Sequence, residues 1–330
     1  MKKFALVTFL LIFNFNSAGA VSLSKALLET YKNNPELNAE RENLNISGED
    51  LKISRSEFLP SITISGSKSS EDTNKNTNRS GTDTAVTDVN PKTQSVLIEQ
   101  KLFQGFAGKA EYEKNKIGMS LAGAKFLKKE QDILFKAIEA YTGLTFAKEK
   151  LEINLSNVNL SERQVETDRS RLERGQITIA DVAQSESSLA ESQAKLIESE
   201  SQLLTSKLEY EKVIGPLENI ENLEKNIVFN FDIPSTLKEA IEISKNNNPD
   251  LIISELEYEQ SEKDVTIAKS EFSPSATLSL ESSRTDDLSS TIDERDKETV
   301  KATISWPLFK GGKNFAELNR SKSLKNRKQL

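Results

Sequence analysis

The chain has 330 residues, with 44 Lys or Arg against 51 Asp or Glu, a formal charge of −7, and neither histidine nor cysteine. Those two absences exclude imidazole acid/base chemistry, Ser-His and Cys-His nucleophiles, thiolate or imidazole metal sites, and any disulfide framework. Aromatics at 6% and charged residues at 29% favour long surface helices over a thick globular core, and no nucleic-acid partner is expected, because phosphate binding needs a basic face.

Lys2 and Lys3 precede an apolar run from Phe4 to Phe15, followed by Ser17, Ala18, Gly19 and Ala20. The small-x-small pattern of Ala18 and Ala20 marks residues 1–20 as a signal peptide cleaved after Ala20. A membrane anchor is the competing reading, but about 12 apolar residues fall short of the roughly 20 that span a bilayer. No later stretch approaches a transmembrane helix, so entry into a membrane would have to use strands.

Residues 21–215 and 236–330 read as two copies of one unit, joined by a linker at 216–235, with the second copy incomplete. At an offset of 214 residues, Leu23 to Ser65 aligns without a gap with Leu237 to Ser279. Asn33-Asn34-Pro35-Glu36-Leu37 returns as Asn247-Asn248-Pro249-Asp250-Leu251, and Ser56-Glu57-Phe58-Leu59-Pro60-Ser61 as Ser270-Glu271-Phe272-Ser273-Pro274-Ser275. Further on, Leu102-Phe103-Gln104-Gly105 returns as Leu308-Phe309-Lys310-Gly311 at an offset of 206, so the second copy is eight residues shorter between the two motifs. A period this long signals duplication of a whole structural unit rather than a solenoid.

In chain order, the first copy opens with a helix over 23–59. Leu37, Leu44, Leu51 and Phe58 form its seven-residue seam, and Pro60 ends it. Strands follow over 61–70 and 94–103, the first alternating Ile62 and Ile64 with Ser61, Thr63 and Ser65. A polar segment from Glu71 to Asn90 suits an exposed loop. A helical hairpin fills 108–215. Its first arm runs from Gly108 to Gly175, about 67 residues and roughly 100 Å at 1.5 Å per residue. Ile117, Leu121, Ala124, Leu134, Ile138, Tyr141, Leu151, Leu155 and Val158 mark its packing seam. The chain reverses near Arg174-Gly175-Gln176, and Asp181 is a cap or first-turn residue of the return arm. There Val182, Leu189, Leu196, Leu203 and Tyr210 recur every seven residues, as do Ser185, Ser192, Ser199 and Ser206, which either permit close helix approach or form a solvated face.

The second copy repeats the pattern with a helix over 236–272, strands over 275–283 and 299–308, a polar loop from Ser283 to Lys297, and the start of a helix over 312–330. Val300, Ala302, Ile304, Trp306 and Leu308 face one way on the last strand, while Lys301, Thr303 and Ser305 face the other. Strands of about ten residues with one apolar face suit a transmembrane barrel or an ordinary antiparallel sheet on a soluble core. Four strands cannot close a membrane barrel, which starts at about eight, so several chains would have to share one.

The signal peptide, the Asn-Asn-Pro-Glu-Leu helix, the Glu-Phe-Leu-Pro-Ser step, the Leu-Phe-x-Gly exit, the Gly175 to Asp181-Val182 tip and the second copy together resemble the TolC-like outer-membrane efflux family. The resemblance implies a mainly α fold with a small β part. Long antiparallel coiled-coil helices form a periplasmic α-barrel, and each chain gives four strands to a trimeric 12-stranded outer-membrane β-barrel. It implies no enzyme and no cofactor or metal. The implied activity is passive exit of cargo in a tripartite efflux or type I secretion system. The implied partners are two further copies, outer-membrane lipid, a periplasmic membrane-fusion adaptor and an inner-membrane pump of the ABC or RND type.

Carried onto this sequence, the resemblance puts Arg171, Leu172, Arg174, Gly175 and Val182 at the adaptor-binding tip. Asp181 falls at the periplasmic aperture, although a negative charge at a helix N-terminus is also explained by the helix dipole. Glu99, Lys101, Lys301 and Thr303 become candidates for the barrel lumen, and Ile304 and Trp306 for its lipid face. The family pattern calls for a second long hairpin after Gly311-Gly312, where only 18 residues remain. The chain is therefore expected to be truncated, with residues 313–330 helical but poorly packed. A periplasmic adaptor would show Gly-rich lipoyl-like β-segments around its hairpin, and a structural coiled coil would leave the strand pairs unexplained.

Overall fold

The computed structural model describes residues 21–330 except 74, 78, 85–87, 218, 226–232 and 290–291, so the signal peptide read at 1–20 lies outside the described residues. The chain divides into two compact units, Met1–Ala39 with Lys129–Pro234, and Glu40–Lys128 with Ser235–Leu330. Proline punctuates both. Each helix expected as one piece at the start of a copy is two: α1 (Leu23–Asn33) and α2 (Pro35–Ser56) in the first. Asn34 is extended ahead of Pro35, and its Oδ1 accepts the N–H groups of Glu36 (3.0 Å) and Leu37 (3.2 Å), closing one helix and capping the next.

The first unit is built on α1, the hairpin arm α3 (Ala107–Glu173) from Lys129 onward, and α4 (Ile179–Val213). Its core gathers Ala26, Ala137, Tyr141, Leu144, Tyr210, Ile214, Leu217 and Leu223. The Tyr141 ring is fully buried, and its hydroxyl lies 2.7 Å from the Val21 carbonyl, 2.9 Å from the Glu224 carbonyl and 3.1 Å from the Glu224 N–H. The serine series of α4 lies in the seam: Ser185 and Ser199 are buried, and Ser192 Oγ meets Ser161 Oγ at 3.0 Å. Close helix approach is thus the reading that holds. The expected seam of α3 holds at Leu121, Ala124, Tyr141 and Val158, all buried, and departs elsewhere. Ile133, Ala137, Leu144 and Val165 are buried, whereas Leu134 and Ile138 are only half-buried and Leu155 is exposed.

The second unit holds the sheet. β1 (Ser61–Lys68) runs into a tapering extension in which β2 (Glu71–Asp72) pairs with β5 (Asp88–Val89) and β3 (Asn76–Thr77) with β4 (Asp83–Thr84), so the expected loop carries short strands. β6 (Lys92–Gln104) returns and leads into α3. The helix expected at 236–272 is likewise divided, into α5 (Leu237–Asn247) and α6 (Pro249–Ser270), with Asn248 Oδ1 accepting the Asp250 N–H at 2.9 Å. β7 (Ser275–Ser289) and β8 (Ile292–Ser305) form a hairpin that takes up most of the second expected loop. The four long strands make one antiparallel sheet in the order β1-β6-β7-β8.

β8 ends at Ser305, short of the expected 308. Its partner β7 begins at Ser275, opposite Ser305, so residues 306–308 have no ladder on that side. α7 (Lys313–Gln329) then runs along α6 through the edge-on ring pair Phe315 and Phe272 (centroids 5.0 Å), the bond from Asn314 Nδ2 to the Glu271 carbonyl (3.0 Å) and the ion pair of Lys325 with Glu262 (2.8 Å). It is helical as expected, with Asn314 buried and Phe315 63% exposed.

Candidate functional site

Two regions carry the residues singled out in the sequence: the hairpin tip in the first unit and the faces of the sheet in the second.

At the tip, α3 ends in a Schellman closure. The Gln176 N–H donates to the Arg171 carbonyl (2.9 Å) and the Gly175 N–H to that of Leu172 (2.8 Å), with Gly175 at φ +70°. An L-residue is strained there, which accounts for the glycine. α4 opens on a capping box. The Asp181 N–H donates to Thr178 Oγ1 (3.4 Å), while the Asp181 carboxylate accepts the Thr178 N–H and hydroxyl, both at 2.8 Å. These bonds, the backbone one foremost, hold the Asp181 carboxyl below the usual carboxylate range, with the positive Arg171 a smaller contributor.

A lowered carboxyl pKa contributes stability above the unfolded value of about 3.9 and loses it as pH falls through the folded value. The box is therefore expected to be intact from neutral pH to about pH 4 and to open below it. Thr178→Ala is expected to destabilise the first turn of α4 by about 1 kcal/mol. Amide protection over 178–183 reads both effects. Unchanged protection in Thr178→Ala, or opening already at pH 6, would contradict this account.

Arg171 reaches Asp168 at 3.6 Å; the buried Asp168 also accepts from Gln164 Nε2 at 2.8 Å. Arg169 clasps Glu186 across the hairpin at 2.6 Å. Arg174 and Gly175 are exposed at the apex, and Leu172 is half-buried. Val182 is buried and points into the hairpin, so it shapes the tip rather than presenting a side chain. Sequence reading missed Ile179, 77% exposed in the first turn of α4. Its signal is an apolar residue directly after a capping threonine, out of phase with the Val182-Leu189 seam. Ser161, Asp168, Arg171, Asp181, Gln184 and Ser188 help line an open cleft of about 540 Å³. Two carboxylates and a guanidinium there supply ionic contacts and no nucleophile-base pair. Among the described residues, no group of three or more acidic side chains is placed to hold a metal.

Residues directly opposite in an antiparallel ladder share a face. Ile62, Ile98, Leu280 and Val300 form one row across all four strands, and Leu278 with Ala302, then Ala276 with Ile304, continue the same face. Ile62, Ile64, Val300 and Ile304 are each at least 67% exposed, an apolar band open to the surroundings. The opposite face is polar. Glu99, Ser279 and Lys301 form one row, and Lys101, Thr277 and Thr303 the next, with Leu97 an apolar residue among them. The four lumen candidates thus fall on one face, Glu99 and Lys301 two strands apart, about 10 Å. Lys101 Nζ is paired with Glu57 at 2.5 Å. Trp306 lies just past β8, its indole N–H donating to the Phe272 carbonyl at 3.0 Å, which anchors the ring where strand gives way to helix. Among the described residues, no helix is long and apolar enough to cross a membrane.

Comparison with known proteins accords with this geometry. The outer membrane efflux protein BepC of Brucella suis is 24% identical over 303 residues, covering 91% of this chain and 63% of BepC, so the chain spans less than two thirds of that relative. The proteases secretion protein PrtF of Dickeya chrysanthemi is 22% identical over 97% of this chain and 71% of its own length. Among solved structures, the Campylobacter jejuni CmeC outer membrane channel superposes with a TM-score of 0.80 at 19% identity, covering 93% of this chain and 66% of CmeC, and shows the shared fold. The sequence model of the outer membrane efflux protein family matches residues 26–215 and 240–329, and the chain belongs to that family, one of envelope transport components and not of enzymes.

Proposed function

We propose that this chain is a subunit of a homotrimeric outer-membrane exit duct that lets cargo pass from periplasm to exterior without an energy source of its own. The observation that carries the reading is the sheet: four strands sorted into an apolar and a polar face, with β1 and β8 at its two edges. Four strands are too few for a closed membrane barrel, and three copies supply twelve. In that arrangement Ile304 and Trp306 face lipid, with Trp306 in the interfacial aromatic belt. Glu99, Lys101, Lys301 and Thr303 line the lumen.

The hairpin of α3 and α4 is then the periplasmic part. Its tip presents Arg171, Leu172, Arg174 and Gly175 to a membrane-fusion adaptor and, through it, to an inner-membrane pump of the ABC or RND type, while Val182 holds the tip in shape. Three copies of Asp181 would ring the aperture and favour cations there. The names of BepC and PrtF support efflux and protein secretion respectively as settings. Purified from outer membranes and placed in a planar bilayer, the protein expressed from its own gene is expected to give stepwise cation-preferring conductance, with the preference reduced in Asp181→Asn. Folded protein that never conducts would overturn the reading.

A further inference from the structure

We propose that the edge of β8 pairs with the edge of β1 from a second copy of this chain, in one register dictated by the internal repeat. Ser305 lies opposite Ser65, Ile304 opposite Gly66, Trp306 opposite Ile64 and Phe309 opposite Ile62. The proposal rests on the duct reading, which calls for a shared barrel without saying which residues meet.

The repeat carries first-copy residues onto second-copy residues by 214 positions up to β1 and by 206 from β6 onward. This mapping is testable inside the chain. Applied to the β1–β6 ladder, it sends Ser61↔Glu99 to Ser275↔Ser305 and Lys68↔Lys92 to Ser282↔Glu298, both of which are pairs of the β7–β8 ladder. It also sends the bond from Gln100 Nε2 to the Phe58 carbonyl (3.3 Å) onto that from Trp306 Nε1 to the Phe272 carbonyl (3.0 Å).

The β6–β7 ladder joins the end of copy one to the start of copy two. Its image joins the end of copy two to the start of copy one, which within a single chain sit at opposite edges of the sheet. A second molecule must therefore supply the partner. Ile98↔Leu280, Glu99↔Ser279, Gln100↔Leu278 and Phe103↔Ala276 become the four pairs stated above. Apolar meets apolar at Trp306–Ile64 and Phe309–Ile62 and serine meets serine at Ser305–Ser65, and the bulge between Lys101 and Phe103 maps beside Pro307, where a residue without an N–H is tolerated. Ile62, Ile64, Trp306 and Phe309 are all at least 60% exposed in the single chain and would be covered together.

Gly105 adds an independent sign. A Cβ there would stand 2.5 Å from Ser273 Cβ and 2.8 Å from the Ser270 carbonyl. Its image Gly311 has nearly the same φ (+62° against +60°) but, among the described residues, nothing within 4 Å of a Cβ there. The mapping places Leu59 and the Ser56 carbonyl of the second copy against that open side.

The absence of native cysteine allows a clean cross-linking test on the protein expressed from its own gene and held in its native outer membrane. Ser65→Cys with Ser305→Cys, and separately Gly66→Cys with Ile304→Cys, are oxidised, then boiled in SDS without reductant. Successive ladder pairs alternate in type, so at least one of the two lies within disulfide reach. The expected result is a shift of most of the protein to a covalent species of three times the chain mass. Ser67→Cys or Thr63→Cys with Ser305→Cys, displaced by two residues on the same face, is expected to give little. Strong cross-linking only in a displaced pair would overturn the register while leaving the shared barrel standing. Absence of cross-links in a protein that is trimeric by native mass would overturn the pairing, and a monomer throughout would overturn both pairing and duct.

Discussion

Replacing Tyr141 by alanine is expected to remove about 4 kcal/mol of stability from the first unit, the range for emptying a buried aromatic site. The ring is fully buried among Ala137, Leu144 and Tyr210, so the void has little means of closing. Tyr141→Phe isolates the hydroxyl, which ties Val21 to Glu224 beside the parallel bridge between Val21 and Leu223. Losing that hydroxyl leaves polar backbone groups short of a partner, at about 1–2 kcal/mol. Amide exchange around residues 21–26 and 219–225 is therefore expected to quicken roughly tenfold in Tyr141→Phe, and exchange at the wild-type rate would contradict this. Burial raises the Tyr141 phenol and pushes Tyr210 up to about 12. Groups raised in this way contribute stability fully below their unfolded value of about 10 and lose it as pH rises through the folded one, so these contacts are expected to persist through neutral and mildly alkaline pH.

Gly105→Ala is the second large effect. The position has φ +60°, which an L-residue occupies at about 1–2 kcal/mol, and the new Cβ would enter the space of Ser273 and the Ser270 carbonyl. Overpacking of that kind adds about 1–3 kcal/mol, for a total on the order of 3 kcal/mol where β6 passes into α3. Gly311→Ala carries a similar strain at φ +62° with no described residue within 4 Å of the new Cβ. The alanine variants are therefore expected to differ by about 2 kcal/mol in urea unfolding of dissociated chains and to converge in the assembled state. Equal stabilities in dissociated chains would show that the contact of Gly105 with Ser270 and Ser273 is not restrictive.

Period and repetition made much of this legible in the sequence. Alternation placed all four long strands, because a period of two survives whatever the sheet packs against. The heptads of α4 placed Val182 and Tyr210 in the seam, since one face of that helix meets α3 along its length, while the serines of the same period were open between seam and solvent until the structure buried Ser185 and Ser199. On α3 the same reasoning held at Leu121, Ala124, Tyr141 and Val158 and slipped by one residue between them, from Ile133 and Ala137 to Leu134 and Ile138. A 3.6-residue helix read with a spacing of 3.5 drifts by about 20° per heptad, enough to misplace residues at the edge of the buried stripe. The breaks at Asn34 and Asn248 were in reach, because the rule applied at Pro60 and Pro274 also holds at Pro35 and Pro249. The Tyr141 hydrogen bonds had no local signature, since their partners lie 83 and 120 residues away. Of the site, the turn at Gly175, the cap at Asp181 and the seam position of Val182 were readable from residue type and spacing, whereas the exposure of Ile179 depends on how α3 and α4 meet.

The proposed barrel of three copies, to which this chain contributes strands, is tested by the mass of the folded species in the outer-membrane fraction. On a detergent gel without heating, the account predicts a band at three times the chain mass that collapses to the monomer on boiling. A protein recovered from the periplasm as a soluble monomer or dimer, with no heat-sensitive trimer in the membrane, would contradict it.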